Sequence, residues 1–100
     1  MAWEKLVAAV TSRHPDLTQG KLFGMPCLKG ADGKTVACHW IDGGLSVKIG
    51  HPEARKKALA HPGATVGSHA FDPTRPMREW VHIPLARADD WERLMGYALD

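Results

Sequence analysis

The stretch KLFGMPCLKGADGKTVACHWIDGGLSVKIG, residues 21–50, alternates apolar and polar side chains around two Asp-Gly pairs. A period of two marks half-buried strands, and Asp-Gly between such strands is a favoured dipeptide for a two-residue type I′ hairpin turn. Placing Asp32-Gly33 in such a turn sets Cys27 opposite Cys38, Met25 opposite Trp40 and Lys29 opposite Val36. Placing Asp42-Gly43 likewise sets Trp40 opposite Leu45, Cys38 opposite Val47 and Val36 opposite Ile49. Phe23, Met25, Cys27, Val36, Cys38, Trp40, Leu45, Val47 and Ile49 then share one face, because strand side chains alternate. A one-residue slip in either turn would bring His39, Ser46 and Lys48 onto that face. The pattern predicts a three-stranded antiparallel meander with one apolar side.

Working outward, Trp3, Leu6, Val7 and Val10 repeat at helical spacing within Ala2 to His14, and Pro15 ends that helix. Asp16 to Gly20 reads as a loop. After the meander, Pro52 opens a helix that runs to about Ala60 and stops at Pro62-Gly63. Val66 to Phe71 and Trp80 to Leu85 read as two strands joined by a loop holding Pro73 and Pro76. Asp89 is placed to cap a last helix, with Glu92 three residues on and Trp91, Leu94, Met95 and Ala98 as its apolar stripe. The expected fold is α+β, in the order α-β(3)-α-β(2)-α, with an antiparallel sheet covered by helices on one face. Residues 1–100 form a single domain in this reading, with no repeat or linker.

Composition narrows the function. The 100 residues carry 13 Lys and Arg against 11 Asp and Glu, a net charge of +2, with 44% apolar residues, as in ordinary globular domains. That excess is too small for a phosphate-binding stripe, so direct DNA binding is not expected. No apolar run is long enough to span a bilayer and the N-terminus does not read as a secretion signal, which points to the cytoplasm. The motifs of P-loop, dinucleotide-binding, nucleophile-elbow and zincin enzymes are absent, so the chain reads as non-enzymatic and without a cofactor.

Several stretches resemble the N-terminal domain of the TfoX/Sxy family, bacterial proteins named after a regulator of competence genes. Lys21-Leu22-Phe23-Gly24 is similar to the opening of that domain, and Val36-Ala37-Cys38 with Gly44 to Gly50 is similar to its central hairpin. Arg75-Pro76-Met77-Arg78 followed by Trp80-Val81 resembles its most specific segment, with Glu79 where the family usually has glycine. The resemblance runs from Lys21 to the C-terminal helix. It implies a single-domain member with an α/β sandwich of the same order, acting in transcription regulation through a protein partner.

Candidate sites follow from residue types. Lys48, Arg75, Met77, Arg78 and Trp80 combine cations with an aromatic and a flexible apolar side chain, the chemistry of a protein contact surface. Cys27 and Cys38 face each other in the expected register, within reach of a disulfide or a soft metal ion, although a small buried core pair describes them as well. Six histidines are scattered with no metal-ligand spacing, so no metal site is expected; His69 and His82 could meet across the last hairpin. The four tryptophans, with Met25 and Met95, could instead line an apolar pocket. The alternative function is therefore a small-ligand-binding domain, redox- or metal-sensitive at Cys27 and Cys38. An enzyme of unrecognised type ranks third.

Overall fold

A computed structural model describes residues 1–99. Its elements are α1 (Ala2–Arg13), β1 (Thr18–Leu22), β2 (Met25–Lys29), β3 (Thr35–His39), β4 (Leu45–Lys48), α2 (Pro52–Leu59), β5 (Thr65–His69), β6 (Asp72–Ile83) and α3 (Trp91–Leu99). A short 3₁₀ segment, Leu85–Asp90, precedes α3. The strands form one antiparallel sheet in the order β1-β2-β3-β4-β6-β5. The fold is α+β, as the alternation implied. Among the described residues no helix is long and apolar enough to cross a membrane.

Several details depart from the sequence expectation. The segment expected to be a loop before Lys21 is largely strand: β1 pairs with β2 through a two-residue turn at Phe23-Gly24, so the meander has four strands. Both turn residues take positive φ, +52° and +81°, as a type I′ turn requires. Neither Asp-Gly pair makes that turn, because Asp32 and Asp42 keep negative φ and only Gly33 and Gly43 are left-handed. Each pair instead ends a three-residue loop, closed by Gly30 N–H to Lys34 O at 2.9 Å and by Trp40 N–H to Gly44 O at 2.9 Å. The aspartate carboxylates hold these loops, Asp32 accepting from Lys34 N–H and Asp42 from Gly44 N–H.

A three-residue loop shifts the register by one. In the first hairpin an irregularity between Leu28 and Lys29 cancels the shift, and Cys27 does face Cys38. The second hairpin has no such correction, so Cys38 faces Ser46, Ala37 faces Val47 and His39 faces Leu45. The apolar set expected on one face is thereby divided between two. Leu45 and Val47 join Leu28, Ala37, Val81 and Ile83 beneath the helices, packed with Trp3, Leu6, Val10, Ala58, Trp91, Leu94 and Met95. Cys27, Cys38 and Met25 lie on the opposite face, where Ser46 is also buried. His39 stays on the helix side, its ring stacked on Trp3 with centroids 5.4 Å apart.

The last hairpin also differs. β6 is a twelve-residue strand that absorbs the expected proline loop. Pro73 and Pro76 are tolerated because β4 pairs only with Trp80 to Ile83, leaving the earlier half of β6 with β5 alone. Two register shifts against β5 let this half bend away. The turn at its end reaches the other edge of the sheet: Phe71 stands 5.1 Å from Phe23, ring to ring. The sheet is therefore curled, with helices on its outer side. At the C-terminal end Asp89 falls inside the 3₁₀ segment, and α3 starts only at Trp91.

Candidate functional site

Alternation along β4 and β6 decides which expected contact residues meet. Lys48 and Trp80 are register partners, and with Met77, Arg78 and Glu79 they surround a surface hollow of about 390 Å³. Lys48 Nζ lies 3.8 Å from the Glu79 carboxylate. Arg78 is exposed at the rim, while Arg75 is exposed further along the bent half of β6, outside that hollow. The structure thus gathers Lys48, Met77, Arg78 and Trp80 and leaves Arg75 beside them, with Arg75, Met77 and Arg78 on β6 rather than in the loop expected.

On the inner side of the curl Leu22, Phe23, Trp40, His69, Met77 and Trp80 line an apolar dent of about 60 Å³. Phe23 and Phe71 rise beside it, 55% and 74% exposed, and meet nearly edge to face. His69 completes this group at 6.0 Å from Phe23. A non-glycine residue at positive φ costs about 1–2 kcal/mol, so the turn holds Phe23 at an energetic disadvantage.

Cys27 and Cys38 are free thiols, both buried. Burial, and then the neighbouring Cys27, push the Cys38 thiol up to about 12. A thiol so raised is not a nucleophile at neutral pH. The pair was expected among the helices but sits beneath the curl. Among the described residues no group of three or more His, Cys, Asp or Glu is placed to hold a metal ion.

The histidines are more engaged than their scatter suggested. His51 accepts from Ala54 N–H at the start of α2, and His61 lies 3.8 Å from Asp90. His69 and His82 do not meet: the register sets them against Asp72 and Thr65. His82 instead faces Ser46 across β4 and β6 and approaches Asp42 to 2.9 Å. The grouping of Asp42, Ser46 and His82 was missed in the sequence, where His82 was paired only with His69. The available signal was weak, a polar Ser46 inside an apolar strand and an aspartate two residues before Gly44.

Comparison with known proteins adds no assignment: no family model matches the chain, and neither does any curated protein or solved structure.

Proposed function

We propose that the protein is a non-enzymatic interaction module that binds a protein segment carrying a large apolar side chain flanked by acidic residues. The observation that carries this reading is the exposed Phe23–Phe71 pair beside the Trp40–Met77–Trp80 dent. Aromatic and methionine side chains around a small hollow are the usual anchors of a protein contact. Arg75 and Arg78 stand exposed nearby with no ion-pair partner among the described residues, which supplies the charge for an acidic flank. The dent, about 60 Å³, is well below the ~300–1,000 Å³ of small-molecule sites and suits one side chain. The apolar-ligand alternative is weakened further because Trp3, Trp91 and Met95 are buried as members of the core beneath the helices.

The regulatory part of the proposal rests on the TfoX/Sxy-like stretches, which include Phe23, Arg75, Met77, Arg78 and Trp80. A cytoplasmic setting belongs to the same proposal, since thiols opposed like Cys27 and Cys38 stay reduced there. The test is a synthetic peptide array varying one Leu, Phe or Trp within acidic or basic flanks. Acidic, apolar-anchored peptides should bind the wild type and be lost by Arg75→Ala/Arg78→Ala without a change in melting temperature. Equal binding by the double variant, or preference for basic flanks, sinks the reading.

A further inference from the structure

The β3–β4 loop and β5 enclose a second hollow, about 350 Å³ in volume, at the small end of ligand sites. Ser46 belongs to its lining and is only 1% exposed, with His82 its partner across the strands. At the loop, the Asp42 carboxylate accepts from Gly44 N–H at 2.8 Å through Oδ1. Its Oδ2 lies 2.9 Å from His82 Nε2, which is wholly enclosed yet lacks a well-directed hydrogen bond. Thr65 and Ser68 add hydroxyls from β5, and Trp40 adds an indole wall.

Two glycines make this arrangement possible. A Cβ on Gly44 would fall 2.7 Å from His82 Nε2 and 2.9 Å from the Ile83 carbonyl oxygen. A Cβ on Gly67 would fall 2.8 Å from Trp80 Cβ. The loop and β5 can lie this close to β6 only because both positions lack side chains.

The chemistry selects a ligand class. Asp42 turns one oxygen to Gly44 N–H and holds the other 2.9 Å from His82 Nε2, so its carboxylate is engaged within the protein and is not free to bind a cation. Hydroxyls donate and accept, and match ligand groups that do both. An indole wall suits the C–H face of a saturated ring. We propose that this cleft binds a small, uncharged, polyhydroxylated ligand of the size of a mono- or disaccharide, through Ser46, Thr65, Ser68 and His82 with Trp40 as the stacking wall. This cleft shares Trp40 and Ser68 with the dent of the protein-contact reading, whereas Ser46, Thr65 and His82 belong to the cleft and not to the dent.

The test is a ¹H–¹⁵N NMR titration of the full chain with glucose, trehalose and inositol, with glucose 6-phosphate and glucosamine as charged controls. Expected are millimolar binding by at least one neutral compound and shifts confined to Trp40–Ser46, Thr65–Ser68 and His82. Ser46→Ala and Thr65→Val should each weaken that binding about five- to tenfold, the effect of one lost hydrogen bond. Thr65 is exposed, so its variant keeps the test valid should Ser46→Ala disturb folding. No shift with any neutral compound, shifts elsewhere, tighter binding of either charged control, or unaffected binding in the hydroxyl-deleted variants overturns the proposal.

Discussion

The two faces of the sheet are built from the same strands and closed by different means. One face lies under three helices, where Leu28, Leu45, Val47, Val81 and Ile83 are buried with hardly a polar atom among them. The other has no helix. Its thiols and Ser46 are buried because the sheet curls until the β1–β2 and β5–β6 turns touch. The first arrangement spends large apolar area on stability. The second leaves hollows, exposed aromatics and polar groups at its mouth, and the candidate binding surfaces lie there.

The sharpest way to break this comparison uses neighbours on one strand. Leu28→Ala should cost about 2–5 kcal/mol, since it empties a wholly buried leucine site under the helices. Cys27→Ala, one residue away on the other face, removes a single sulfur and should cost about 1 kcal/mol. Chemical denaturation of both variants checks the difference; equal costs would mean that the curled face is as much a core as the helical one.

A smaller effect probes the curl itself. Gly67→Ala should destabilise by about 1–3 kcal/mol, because its Cβ meets Trp80 Cβ at 2.8 Å and neither belongs to a flexible chain end. The same variant should raise the exposure of Trp80 to fluorescence quenchers. A fold that tolerates alanine there without loss would show that β5 is not held tightly against β6.

The last contrast is a pH dependence confined to the curled face and absent at neutral pH. The Cys38 thiol is raised from 9.0 to about 12 in the fold, so the folded state keeps a proton that the unfolded chain releases. Its contribution is complete below pH 9 and is lost as pH rises towards 12. Stability should therefore fall more steeply across that alkaline range in the wild type than in Cys38→Ala. Parallel pH profiles for the two would remove the thiol from the account.

Much of the fold was legible because periodicity reports burial directly. Trp3, Leu6, Val7 and Val10 of α1, and Trp91, Leu94 and Met95 of α3, are buried where their spacing put them. The β2–β3 and β3–β4 hairpin positions were legible too, since Asp-Gly marks a turn whatever its length, but the Phe23-Gly24 turn was not. Loop length was not. Whether an aspartate takes positive φ or keeps negative φ and bonds its own backbone two residues on depends on a small energy difference that the dipeptide alone does not resolve. One residue of loop length then moved Leu45 and Val47 away from Cys38, and placed Ser46 beside it.

The candidate site was legible only in part for a related reason. Lys48, Met77, Arg78 and Trp80 converge because β4 and β6 are neighbours, although α2 and β5 separate them in the chain. Phe23 and Phe71 meet only because the sheet curls. Likewise Asp42, Ser46 and His82 become neighbours through a strand pairing with no local signal. By itself the sequence determined the helices, the strands on either side of the two Asp-Gly turns and the α+β class, since each follows from side-chain periodicity and local turn chemistry. Tertiary structure alone decided the register of the second hairpin, the curl of the sheet and therefore every hollow on its inner side, because these depend on contacts between residues far apart in the chain.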